Sequence, residues 1–135
     1  MANKRDIKLD EFNISKFAYR ELNNFCLQYP EKVKSLKNIT YLKAQTYSDM
    51  PHGSEVGNPT MEAALRNVQL SNDIRMIEQS AIEAAPEIYQ YIMLMATEGY
   101  SFAMLKSCYM PCEKSYFYNH RRMFYYILAK RKGVI

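Results

Sequence analysis

The stretch Tyr109–Gly133, YMPCEKSYFYNHRRMFYYILAKRKG, decides how the chain is read. Aromatics and cations crowd into it, Met110-Pro111-Cys112 makes a tight break at its head, and Gly133 closes it. Between these stops nothing interrupts a helix, so one is expected from about Glu113 to Lys132. Helical spacing divides it into two faces. Tyr116, His120, Met123, Phe124 and Ile127 are expected to pack inward, and Lys114, Tyr118, Arg121, Arg122 and Tyr125 to face water.

Ahead of that helix lie a Gly99 turn and a short segment, FAMLKSC, which Ser101 is placed to cap. Ala103, Met104 and Leu105 are expected to supply its packing face. Helix, turn, short helix, turn, helix is the rhythm of a helix-turn-helix unit. The outward face of the last helix mixes cations with Tyr118 and Asn119, as DNA contact requires. Arg and Lys neutralise phosphates, Arg can fork onto guanine, and Asn can pair with adenine. The helix start at Cys112–Ser115 can approach a phosphate. Lys114, Ser115, Tyr118, Asn119, Arg121 and Arg122 are therefore the candidate DNA contacts, with Lys106, Lys130, Arg131 and Lys132 as added backbone contacts. The last three also suit the negative end of a helix dipole without any ligand.

Further upstream, Pro86 is placed to start a helix in which Ile88, Tyr91, Ile92 and Met95 share a face. Before it, Asn58-Pro59-Thr60 reads as the start of a long helix running to Ala85. Its apolar residues fall into two groups, Met61, Ala64, Leu65 and Val68, then Leu70, Ile74, Ile77, Ala81 and Ala84. The stripe changes phase near Gln69, and intrachain core is expected rather than a coiled-coil seam. Residues 12–28 and a second helix from Pro30 to about Tyr47 form an expected N-terminal hairpin. Phe12, Phe17, Leu22, Phe25 and Cys26 would face the core from the first, Val33, Leu36, Thr40 and Tyr47 from the second. Between hairpin and long helix, SDMPHGSEVGNP is the clearest loop in the chain.

Charge is unevenly spread. Residues 61–100 carry Arg66 and Arg75 against Glu62, Asp73, Glu78, Glu83, Glu87 and Glu98, and residues 101–135 carry seven cations against Glu113 alone. An acidic middle before a basic end suggests a polyanion partner. With 135 residues, 48% hydrophobic and 24% charged, the chain can bury a core. No apolar leader and no long apolar run are present, so neither a signal peptide nor a membrane span is expected. Tyr and His on the expected inner face of the last helix also argue against a membrane-surface helix. Three cysteines make no disulfide framework and fit a reducing cytoplasm. Cys108 and Cys112 lack further ligands nearby for zinc, His52 and Cys26 being distant in sequence. His52, Ser54 and Glu55 have no oxyanion hole or phosphate cradle beside them, so no enzyme, metal or cofactor is expected. The nine methionines read as core filling.

Two stretches resemble the RinA/ArpU-like phage transcriptional regulators. One is the loop and helix start holding Pro51, Gly53, Ser54, Asn58, Pro59, Thr60, Ala63 and Ala64. The other is the C-terminal unit, where Cys112, Ser115, Tyr116, Phe117, His120 and Arg121 follow the family's sigma-factor-like helix-turn-helix. The resemblance covers about residues 48–133 and implies a phage or prophage activator of late genes in a bacterial host cell. The expectation is thus an all-α chain: an N-terminal helical arm (1–48), a loop (49–60), and a long helix with a helix-turn-helix (61–135). Double-stranded DNA is the expected partner, with RNA polymerase and a second copy of the chain as further candidates. The competing reading is a protein-interaction module that binds RNA polymerase or inhibits a host nucleic-acid-handling factor. Glu113, which repels phosphate at the head of the last helix, favours that reading.

Overall fold

The computed structural model describes residues 14–37 and 61–135. Every regular element among them is a helix, so the expected all-α class is the observed one. The elements are α1 (Lys16–Leu27), α2 (residues 29–37), α3 (Met61–Ala84), α4 (Tyr89–Glu98), α5 (Phe102–Ser107) and α6 (Lys114–Lys132). No helix among these residues is long and apolar enough to cross a membrane.

Local chemistry sets the boundaries. Ser15 caps α1, its hydroxyl accepting from the Ala18 N–H at 3.0 Å. Gln28 keeps right-handed helical angles between α1 and α2, and Lys32 N–H donates to Gln28 O at 3.0 Å. Pro30 therefore bends the path without a reversal loop. Ser101 caps α5 by accepting from Met104 N–H at 3.2 Å, as its position predicted. Gly99 and Gly133 end α4 and α6 in the left-handed region, both at φ 77, where a side chain would be strained.

The core forms where α3, α4 and α1 close around α6. Phe117, Phe124 and Leu128 of α6 meet Ile77 and Ala81 of α3, Ile92 and Ala96 of α4, and Leu22 and Cys26 of α1. Leu105 of α5 and Met110 of the following turn complete it. Each large apolar side chain buried in this way contributes about 1.5–3 kcal/mol. α1 thus shares one core with α3–α6.

Several expectations change. The second apolar group of α3 reaches the core through Ile77, Ala81 and Ala84, with Leu70 and Ile74 half-buried. The first group does not: Met61, Leu65 and Val68 are 75%, 61% and 56% exposed, because α4 and α6 cover only the C-terminal part of α3. Phe17 is also exposed, at 73%, although Leu22, Phe25 and Cys26 of α1 are buried as expected. Pro86 lies in the α3–α4 turn, and α4 begins three residues later. On α5, Ala103 and Met104 face water, while Phe102 and Leu105 pack inward. Phe12, Thr40, Tyr47 and the whole loop from Asp49 to Thr60, including His52 and the Asn58 cap, lie outside the described residues.

Candidate nucleic-acid interface

The unit that presents α6 is built around one turn. After α5 the chain passes through Tyr109 in the left-handed region, at φ 66, a conformation non-glycine residues seldom adopt. Tyr109 N–H donates to Lys106 O at 3.0 Å and Met110 N–H to Leu105 O at 3.2 Å, a Schellman closure of α5. Met110, the residue after the left-handed one, drops into the core, while Tyr109 projects into water. Lys106 then ties the turn: its ammonium donates to Met110 O at 3.0 Å and Cys112 O at 3.2 Å. The turn delivers the chain to Glu113, whose backbone begins α6 and whose carboxylate caps nothing.

The faces of α6 are rotated by about one residue from the sequence expectation. Tyr125, expected outside, is 1% exposed and meets Tyr19 edge-on at 5.1 Å. Tyr116 and Met123, expected inside, are each 40% exposed. His120 and Ile127 are half-buried, and only Phe124 of the expected inner set is fully enclosed. The cause is that more than one helix covers α6. α3 lies along Phe117, Phe124 and Leu128, and α1 lies along Arg121 and Tyr125. The Phe117–Phe124–Leu128 spacing of seven and four was a readable signal for the first contact. Nothing local to α6 announces α1.

The candidate DNA contacts separate accordingly. Lys114, Ser115 and Asn119 face water on the N-terminal half of α6, and Lys106 and Lys130 are exposed at either end of the unit. Arg122 is half-buried on the rim of that face and donates to Asn119 Oδ1. Tyr118 and Arg121 were expected in open water but are half-buried, Tyr118 beside Phe102 of α5 at 6.0 Å between ring centres and Arg121 beside Tyr19 of α1. Arg121 Nη2 donates to the Tyr19 hydroxyl at 3.3 Å, and its guanidinium lies 5.6 Å from the Tyr118 ring centre. Its Nε is buried without an acceptor. At the far end Arg131 bonds Glu83 at 2.6 Å and Ser80 at 3.2 Å, and the Lys132 ammonium sits 4.2 Å from the Phe25 ring centre. Those two cations staple α6 to α3 and α1, whereas among the described residues Lys130 leans over Tyr126 of its own helix, at 5.3 Å.

Beside the head of α6, Glu87, Ile88, Pro111, Cys112, Glu113 and Tyr116 line a cleft of about 380 Å³. The Tyr116 hydroxyl donates to Glu87 at 3.4 Å. This side of α6 is acidic, and the opposite side carries Lys114 and Arg121. Burial pushes the Cys26 thiol up to about 12, and it raises Cys112 as well, against the pull of Lys106. No group of three or more His, Cys, Asp or Glu side chains among the described residues is placed to hold a metal ion.

Comparison with protein-family models, with curated proteins and with solved structures found no match to this chain.

Proposed function

We propose that the chain is a DNA-binding transcriptional regulator of the phage type, reading double-stranded DNA with the N-terminal half of α6. The observation that carries this reading is the α5–turn–α6 unit. A Schellman-closed short helix, its left-handed Tyr109 and the Lys106-tied turn hold a long helix. α3 and α1 bury one side of that helix and leave Ser115, Asn119 and Arg122 along the other, with Lys114 exposed at its head. Such a helix suits the major groove, with Arg122 and Asn119 at base edges and Lys114, Lys106 and Lys130 at phosphates. The expected role is that of an activator of late genes in the host cell.

The test is binding of genomic duplex fragments by fluorescence anisotropy across a salt series. If about four to six cations displace counterions, the log–log slope of affinity against salt is roughly −4 to −5. A flat response overturns the reading.

One observation favours a second reading. Glu87 and Glu113 flank an apolar cleft at the head of α6, where a phosphate would be repelled and a protein side chain would not. In that case the chain binds RNA polymerase or a host nucleic-acid-handling factor. Pull-down from host extract, with and without nuclease, separates the two, since only a protein-bound partner stays after nuclease treatment.

A further inference from the structure

α1 enters no part of the function just proposed, yet it brings a second set of cations to α6. Two contacts fix its direction. Tyr19 meets Arg121 and Tyr125, while the Phe25 ring meets Lys132 at 4.2 Å. Moving forward along α1 therefore moves forward along α6, and the two helices run the same way. Lys16, one turn before Tyr19, and Arg20 beside it then lie alongside the N-terminal half of α6. Both are exposed.

One stripe of α6 runs Lys114, Tyr118, Arg121 and Tyr125, at spacings of four, three and four, and α1 meets it at Arg121 and Tyr125. Its C-terminal end is sealed in the core, as are Phe25 and Cys26 opposite. Its N-terminal end is cationic. The Lys114 ammonium and the Arg121 guanidinium lie 6.0 Å and 5.6 Å from the same Tyr118 ring centre. The packing thus gathers Lys16, Arg20, Lys114 and Arg121 at one end of a two-helix junction. Among the described residues none of the four forms an ion pair with a carboxylate. The nearest acid on α1, Glu21, stands about 100° further round the helix from Arg20. Glu113, the residue before Lys114, lines the cleft with Glu87. Among the described residues Arg121 meets the Tyr19 hydroxyl and the Tyr118 ring, and its buried Nε has no acceptor. Like charges drawn together without a counter-ion oppose the docking of α1 unless an anion meets them.

We propose that the α1–α6 junction is a second phosphate-binding surface, on which Lys16 and Arg20 of α1 and Lys114 and Arg121 of α6 hold the backbone of the nucleic-acid strand beside the groove that α6 enters. This rests on the reading of α6 as the DNA-contacting helix and extends it to α1. Tyr19 and Tyr118 are its positioning residues: they fix the Arg121 guanidinium between the helices. The exposed Phe17 ring, over which Arg20 lies at 5.6 Å, adds an apolar edge that can rest on sugar carbons.

The experiment compares three full-length proteins in the same salt series on a labelled duplex. They are the wild type, the K16Q/R20Q double variant and the K34Q/K37Q double variant, which loses equal charge from α2. Circular dichroism verifies that all three are folded. The expected result is that K16Q/R20Q lowers the magnitude of the salt slope by about 1.8, two phosphate contacts' worth, and weakens every duplex alike. K34Q/K37Q leaves the slope unchanged. A steep wild-type slope that K16Q/R20Q does not alter overturns the junction and leaves the α6 reading standing. An equal drop in both double variants also overturns it, because net charge alone then accounts for the effect. A flat wild-type slope overturns the α6 reading and the junction with it. Competition by polyglutamate as strong as that by unlabelled duplex overturns the proposal in favour of an acidic protein partner.

Discussion

Tyr109 is held at φ 66 by the closure of α5, with its ring almost wholly in water. The ring contributes no packing to offset the strain of a left-handed residue that carries a Cβ. Tyr109→Gly is therefore expected to raise the unfolding free energy by about 0.5–1 kcal/mol, measured by urea denaturation, without disturbing α6. Tyr125 and Tyr29 predict a pH effect. Burial raises the Tyr125 phenol well above its ordinary value of 10.0, with Cys26 and Tyr19 adding to it. Burial raises Tyr29 as well, reinforced by its 2.5 Å hydrogen bond to Glu78 and by that carboxylate's charge. For both, the folded state holds its proton longer than the unfolded chain does. Their contribution to stability is complete below about pH 10 and is lost as pH rises beyond it. Thermal melts should show a falling Tm above pH 10. Tyr125→Phe should flatten that fall while changing stability at pH 7 by about 1 kcal/mol, since its hydroxyl meets only neutral groups among the described residues, Met95 Sδ at 3.9 Å and the Tyr19 hydroxyl.

Among the elements, α6 is the one whose boundaries were most legible and whose faces were least so. Its limits follow from Pro111 and Gly133, which act through backbone chemistry that any reader of the sequence can apply. The Ser101 cap and the Gly99 stop were legible for the same reason. Faces depend on partners. Tyr116, Tyr118, Tyr125 and Tyr126 are equally amphipathic as residues, and only the docking of α1 beside α3 decides that Tyr125 is enclosed and Tyr116 is not. Arg121 shows the same limit: its charge reads as solvent-facing, but the Tyr19 hydroxyl lies far away in sequence. Apolar periodicity likewise identified α3 but could not say that its first two turns would stay uncovered. Two substitutions test this account of the elements. Ser101→Ala removes the side-chain acceptor at the start of α5 and should cost about 1 kcal/mol. Phe124→Ala opens the seam between α6 and its neighbours and should cost about 3–5 kcal/mol. If Phe124→Ala were near neutral in denaturant melts, the α6-centred core described above would be wrong.

At the scale of the molecule, the basic end of the chain divides into cations that hold the fold and cations that, among the described residues, tie α6 to no other helix. Arg131 is committed to Glu83 and Ser80, and Lys132 to the face of Phe25. Among the described residues Lys114 and Lys130 lie over aromatic rings of their own helix, at 6.0 Å and 5.3 Å. Sequence alone weights these four charges equally, whereas the packed structure does not. Single neutral variants should therefore fall into two classes. Lys114→Gln and Lys130→Gln should each reduce the magnitude of the salt slope for duplex binding by about 0.9 and leave thermal stability unchanged. Arg131→Gln should leave the slope as it is and lower stability by no more than about 1 kcal/mol, because its ion pair with Glu83 is largely in water. Arg121→Gln should do both. It loses a cation from the α1–α6 junction and the bond that fixes α1 to α6, so its affinity must be read well below its own melting temperature. Equal slope losses from all four variants would mean that DNA answers to net charge alone, and that the arrangement of α1, α3 and α6 around these residues has no part in recognition.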